Sequence, residues 1–213
     1  MNGRWVEIAP DLLERILANP SILDQVTAAD VHVPIFGDKL AALTQLLEPS
    51  RIEELAASLP PEHRAQLLAQ AAAIRGATTG AQKDSPEGVR HRLDLDKAWH
   101  GVHFLLCQRA DDAPPPLGSA VLGGTEIGPD QGYGPVRYLT PGAVAEVAAA
   151  VAKVDDAALR RSWRPQVLAD QQIYPGGWEE AESLDWLIDS LAQLRSFYVQ
   201  AAGRGSAVLT YLT

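Results

Sequence analysis

The sequence predicts an α+β fold, a mostly helical single domain with a small sheet that includes the N- and C-terminal strands. Apolar residues recur at helical spacing in several segments, which indicates amphipathic helices. Two short stretches, residues 4–8 and 206–212, have the composition of β-strands. Each is too short to be stable alone, so we expect both to join one sheet. Helices packed with a small sheet form an α+β domain.

Proline and asparagine delimit the first two helices. Pro10 follows the first strand and opens a helix, because the missing N–H of proline costs nothing at the first helical position. Asn19 and Pro20 end that helix. A second helix is predicted from the N-cap residue Ser21 to about Ala29.

Residues 39–75 are rich in alanine and leucine at helical spacing. We interpret this segment as a helical insertion within one domain that spans residues 1–213. Residues 76–88 follow it and contain no large apolar side chain, so a mobile loop is predicted there. The loop separates a helical N-terminal third from the rest without having to divide two independent domains.

The stretch LDLDKAWHGVHFLL, residues 93–106, combines the most apolar surface with the most ionisable chemistry. It is predicted to be one helix. Asp94 is placed as its N-cap, and Asp96 in the first turn favours the positive end of the helix dipole. At 100° per residue a buried stripe forms, made of Leu95, Trp99, Val102 and Leu106. Trp99 is therefore predicted to be a main anchor of the core.

The C-terminal half begins with a glycine-rich segment, residues 117–135, in which no regular element is predicted. Turn and cap residues then delimit the elements that follow. They are a strand at residues 136–139, a helix started by Thr140 and Pro141, a short helix capped by Asp155 or Asp156, a sharp turn at residues 174–177, and a long helix from Trp178 to about Ala202.

Charge and cysteine content exclude several classes of function. The chain has 18 lysines and arginines against 27 aspartates and glutamates, a net charge of −9. Such a protein repels phosphate backbones and anionic lipids, so neither nucleic-acid nor membrane binding is predicted. Its single cysteine, Cys107, cannot form an internal disulfide and suggests a reducing compartment. With no signal peptide and no run of about 18 apolar residues, a cytoplasmic location is predicted.

Four separated motifs resemble the YfbM-like family of small bacterial proteins. They are LDLDKAWHGVHFLL, PLGSAVLGG at residues 116–124, GYGPVRYL at 132–139 and IYPGGW at 173–178, and the closing strand GSAVL fits too. The resemblance covers about residues 1–20 and nearly all of 93–213, and it implies no activity, because the family has none established. The family pattern matches Leu93, Asp94, Asp96, Lys97, Trp99 and His103. His100 and Cys107 depart from it.

Asp96, His100, His103 and Cys107 project from one flank of the predicted helix. These are residue types that bind zinc. On a straight helix, however, they spread over about 16 Å at 1.5 Å per residue, too far for one ion to collect them. We therefore predict no metal and no cofactor. His103, with Asp96 beside it, is the candidate for acid–base catalysis, because partial burial shifts a histidine pKa. The competing interpretation is a structural histidine bonded to a backbone carbonyl.

The glycine-rich segment lacks the lysine and serine or threonine of a phosphate-binding loop. Its glycines indicate tight turns or a backbone that lines a groove. Aromatic residues and one guanidinium lie near it, which suits recognition of a small anion or a peptide. The candidate ligand-binding residues are Trp99, Tyr133, Arg137, Tyr138 and Tyr174.

Two classes of function remain open. The acidic charge, the lack of a catalytic motif and the helical insertion favour a non-catalytic cytoplasmic binding or interaction protein, for example one that sequesters a partner protein such as a toxin. The alternative is an undescribed enzyme that uses His103, with Asp96 or a tyrosine, in a groove beneath residues 117–135.

Overall fold

A five-stranded antiparallel sheet runs through the computed structural model, which describes residues 1–27, 86–130 and 132–213. The strand order is β2-β1-β5-β4-β3. The strands are β1 (Gly3–Ile8), β2 (Val89–Asp96), β3 (Thr125–Asp130), β4 (Pro135–Leu139) and β5 (Ala207–Leu212). The predicted α+β fold is confirmed, and so is the prediction that both terminal strands belong to one sheet, where β1 lies directly against β5 with Trp5 opposite Thr210.

Seven α-helices accompany the sheet within the described residues. They are α1 (Pro10–Ala18), α2 (Ile22–Thr27), α3 (Trp99–Cys107), α4 (Pro141–Val151), α5 (Asp156–Ser162), α6 (Pro165–Asp170) and α7 (Ser183–Gly203), with a 3₁₀ turn at Gly118–Ala120. Two predicted caps are confirmed. The Thr140 hydroxyl accepts a hydrogen bond from the Ala143 amide, and Asp155 accepts one from the Ala157 amide. None of these helices is long and apolar enough to cross a membrane.

The predicted single helix over residues 93–106 is wrong in its first part. Residues 93–96 belong to β2, where Asp94 pairs with Arg4 and Leu93 with Trp5 of β1. The sequence LDLD alternates apolar and polar residues, which fits a strand, and pairing with β1 outweighs the weak capping signal. Asp94 is therefore no N-cap, and Asp96 lies at the strand end with a φ of 47°. The helix begins at Trp99.

The side chains of the sheet alternate between two buried faces. Trp5 and Val208 lie on the face that packs on the large core, together with Val102 of α3, Val144 of α4 and apolar residues of α7. Val6, Ile8 and Leu209 point to the other face and are fully buried too. The buried residues of α1, Leu12, Leu13 and Ile16, lie outside the large core, and Leu12 packs against Gly88, where a Cβ would come 2.8 Å from Leu12 Cβ.

Several element bounds differ from the sequence prediction. Strand β3 was not predicted, because its positive-φ glycine, Gly128, hides the alternation of a strand. Helix α6 was missed because it is only six residues long. The last helix begins at Ser183 rather than Trp178, since Gly176 and Gly177 both have positive φ and the chain still turns there.

Contacts between Cα atoms group Met1–Leu23 with Glu87–Thr213 as one compact unit and Asp24–Pro86 as another. The sites described below lie in the first unit. The predicted helical insertion, residues 39–75, lies outside the described residues. So do residues 28–29 of the predicted second helix and residues 76–85 of the predicted loop.

Candidate functional site

His103, the predicted acid–base residue, is a fully buried histidine. Its Nε2 lies 2.7 Å from the backbone carbonyl oxygen of Asp111, and its Nδ1 has no hydrogen-bond partner among the described residues. Burial lowers the pKa of His103, which keeps the ring neutral. This hydrogen bond to a backbone carbonyl is the one that the competing interpretation, a structural histidine, predicts.

Asp96 has a different environment from His103. Its backbone N–H donates to Asp94 Oδ1 at 2.7 Å, which closes a short turn after β2. No hydrogen bond joins Asp96 to His103 among the described residues. The structure therefore does not assemble the predicted pair.

Tyr133 and Arg137 do lie together, in a shallow groove that also contains Arg4 and Trp5. His103 is not part of its lining. The free space is about 10 Å³, which is about the space of a single water molecule. Arg137 already donates to Glu126 Oε1 at 2.8 Å. Binding of a small anion there stays a prediction.

The other three predicted ligand-binding residues separate into two places. Tyr138 pairs with Leu209 and, by alternation, points to the opposite face from Arg137. Trp99 and Tyr174 stack on each other, with ring centroids 6.1 Å apart. Tyr174 also directly precedes the residues that line a second, larger pocket.

That larger pocket, the tryptophan pocket, has a volume of about 360 Å³. It is lined by residues 175–177, Trp178, Ser183, Trp186 and the two carboxylates Glu180 and Glu182. Trp178 is buried, whereas Trp186 is 40% exposed. The two indoles stack with centroids 6.1 Å apart and planes 19° apart. The indole of Trp186 is thus open to solvent in a pocket that also contains two carboxylates.

Local contacts fix the shape of the tryptophan pocket. The Trp178 indole N–H donates to the Ile173 carbonyl at 2.7 Å, and the Ser183 hydroxyl donates to the Gly177 carbonyl at 3.2 Å. Gly101 of α3 makes room for the indole, because a Cβ there would lie 2.7 Å from Trp178 Cη2. The turn is therefore tied at both ends to rigid parts of the core.

The charges around the tryptophan pocket suit a cation. Glu180 and Glu182 are exposed, and no described residue forms an ion pair with either. Glu180 Oε1 lies 3.8 Å from where a Cβ on Gly177 would be, so this carboxylate reaches over the turn. Asp185, one residue before Trp186, is paired with Arg160 at 2.5 Å. A cation over an accessible indole face gains roughly 0.5–2 kcal/mol.

The sequence analysis passed over Trp186 although a signal was present. The buried stripe of α7 includes Leu187, Leu191 and Leu194, and Trp186 lies about 100° away from it on the helix. The available signal was a large aromatic residue outside the apolar stripe, with Asp185 beside it and Glu182 one turn before it.

Metal and thiol chemistry find little support in the described residues. There, no group of three or more histidine, cysteine, aspartate or glutamate side chains could hold a metal ion. Burial raises the pKa of the Cys107 thiol to about 11. The thiol is therefore protonated at neutral pH and is a poor nucleophile or ligand.

The fold and this pocket define an α+β protein with an open, acidic aromatic pocket. The chain belongs to the family described as "Domain of unknown function (DUF1877)", which matches residues 1–211. Its fold is similar to the crystal structure of YfbM from Escherichia coli, a protein of unknown function, at 20% identity and a TM-score of 0.59. The match covers 99% of this chain and 98% of that one. No curated protein matches the sequence.

Proposed function

We propose that the chain is a non-catalytic interaction protein that binds a cationic segment of a partner protein at the tryptophan pocket. The observation that carries the proposal is Trp186, a 40% exposed indole beside the unpaired carboxylates of Glu180 and Glu182. Tryptophan is usually mostly buried, and its exposure in a concave, charged surface is typical of a recognition site.

Arginine or lysine side chains of a partner match this pocket. The apolar stem of either residue packs on Trp186 and Pro175, while the charged head reaches the two carboxylates. The net charge of −9 adds long-range attraction for a basic partner. A basic toxin that the chain sequesters is one partner of this kind. The open mouth of the pocket suits a side chain that projects from a larger surface.

Calorimetry with a short arginine peptide, acetyl-Gly-Arg-Gly-Arg-Gly-amide, tests the proposal. We expect saturable binding that weakens with added salt. Trp186→Ala should lower the affinity about 5- to 30-fold, which corresponds to a loss of roughly 1–2 kcal/mol. Exchanging both pocket carboxylates, Glu180→Gln with Glu182→Gln, should have an effect of similar size.

The controls separate recognition of charge from non-specific adhesion. A peptide with citrulline in place of arginine has nearly the same shape without the charge, and it should bind at least about tenfold more weakly. Val199→Ala removes another exposed apolar side chain of α7, and Glu146→Gln removes an exposed carboxylate of α4. Both should leave the affinity within about twofold. Equal affinity for the two peptides, or no binding, would overturn the proposal.

A further inference from the structure

His100 is bonded on both sides of its ring, and the bonds fix its protonation state. The backbone N–H of Tyr174 donates to Nδ1 at 3.0 Å, so this nitrogen carries no proton. Nε2 lies 2.8 Å from the carbonyl oxygen of Ala110, which can only accept, so Nε2 carries the proton. The ring also stacks on Trp99 with centroids 4.7 Å apart and planes 6° apart. His100 is thus held as the neutral imidazole.

The bond to Tyr174 reaches the tryptophan pocket through one peptide unit. Tyr174 directly precedes Pro175, Gly176 and Gly177, which form one wall of the pocket. Neither glycine has a neighbour that would restrain it sterically: a Cβ would meet nothing within 4 Å at Gly176 and only a glutamate oxygen at Gly177. The hydrogen bond between the Tyr174 amide and His100 anchors the entry of this wall, while the bonds from Trp178 to Ile173 and from Ser183 to Gly177 hold the rest of the turn.

We propose that His100 is the positioning residue of the tryptophan pocket and that its protonation releases the turn at Tyr174, so that the chain binds its cationic partner less tightly as the pH falls. A second proton places an N–H at Nδ1, directly against the N–H of Tyr174, and two donors cannot share that hydrogen bond. This inference rests on the proposed function and adds its regulation.

The groups that face His100 set the range in which the change occurs. Burial lowers the pKa of His100, while the Ala110 carbonyl and the charge of Asp111 act in the opposite direction. His103 lies on the same helix, and Tyr174 accepts at its hydroxyl from the Met1 nitrogen, 3.1 Å away. Protonation therefore falls below pH 6.5, the ordinary histidine value.

The test is an NMR pH titration from about pH 7.5 down through the midpoint of the His100 ring titration, first without peptide. The Tyr174 amide and the Trp186 indole N–H should shift along the same curve as the His100 ring. With the arginine peptide, the affinity should fall at least about fivefold over this range, at the low end of typical coupling between sites. By reciprocity the bound peptide should lower the pKa of His100 further.

His100→Asn is the decisive variant, because its side-chain oxygen can accept from the Tyr174 amide but does not titrate. It should keep most of the affinity at pH 7.5 and lose most of the pH dependence. His103→Asn is the matched control on the same helix, since His103 bonds to Asp111 and not to the turn. Provided that it stays folded in a thermal melt, it should retain the pH dependence of the wild type.

The outcomes distinguish this inference from the proposed function. Binding at pH 7.5 with an affinity that does not change as the His100 ring becomes protonated would overturn the role of His100 and leave the proposed function standing. If the peptide does not bind at all, the proposed function fails. The peptide-free titration still tests the positioning role of His100. If the NMR signal of the Tyr174 amide does not change while His100 titrates, that role is contradicted.

Discussion

Glu7→Ala is expected to lower the free energy of unfolding by roughly 1.5–3 kcal/mol, because it removes a buried charged acceptor of hydrogen bonds from Arg204, which is itself half exposed, and from Ser206. Glu7 is the last but one residue of β1 and is fully buried. Arg204 donates to both carboxylate oxygens, at 2.7 and 2.6 Å, and the Ser206 hydroxyl donates to Oε1 at 2.6 Å. Without the carboxylate, these donors lose their acceptor at the edge of the core.

The pKa of Glu7 predicts how its contribution to stability changes with pH. Burial opposes ionisation of Glu7, but the hydrogen bonds from Arg204 and Ser206 and the nearby positive charge outweigh it, so the pKa of Glu7 is lowered from 4.5. A carboxylate with a lowered folded-state pKa stabilises the protein above the unfolded-state value and loses that contribution as the pH falls through the folded-state pKa. The stability difference between wild type and Glu7→Gln should therefore shrink below about pH 4.5.

Urea denaturation across this pH range checks both statements. The control is Glu146→Ala, an exposed glutamate whose replacement should change stability by less than about 0.5 kcal/mol. If Glu7→Ala costs no more than this control, the ion pair contributes nothing and the assignment of Glu7 as a structural carboxylate is wrong.

Trp99→Ala is the second large effect, with an expected cost of about 3–5 kcal/mol from lost burial and the cavity left behind. Trp99 is 4% exposed, stacks on His100 and Tyr174, and packs on Gly3, where a Cβ would come 2.5 Å from Trp99 Cβ. Its removal leaves a void between β1 and α3.

Trp186→Ala is the matched control, since it deletes the same side chain from an exposed position. It should cost roughly 1–2 kcal/mol, clearly less than Trp99→Ala, because about two-fifths of that residue is already in water. Equal costs for the two substitutions in denaturant midpoints would mean that Trp99 is not a core anchor.

The elements that the sequence predicted correctly are those whose signals are local. Thr140 followed by Pro141 starts α4, Asp155 starts α5, and the apolar stripe of α7 is buried as its spacing predicts. Both terminal strands were recognised from their strand-like composition within a few residues, and the first also from its alternation. Signals of this kind depend on backbone and side-chain preferences that hold in any surroundings.

The parts that were not predicted depend on contacts between distant residues. Residues 93–96 form a strand because β1 lies beside them, and tertiary pairing overrides a capping signal. In the sequence, nothing distinguishes Glu7 from an exposed charged residue, because its partner Arg204 lies 197 positions away. The tryptophan pocket likewise needs Gly101 to admit Trp178, a contact between helix α3 and a turn more than 70 residues later.

The central claim is that the tryptophan pocket binds cationic side chains, and the indole N–H signals of the five tryptophans test it most directly. On titration with the arginine peptide, the account predicts that the Trp186 signal shifts most, with a smaller shift at Trp178 and none beyond scatter at Trp5, Trp99 and Trp163. The citrulline peptide should leave all five in place. Shifts of equal size with both peptides, or shifts concentrated at Trp5 in the groove of Tyr133 and Arg137, would contradict it.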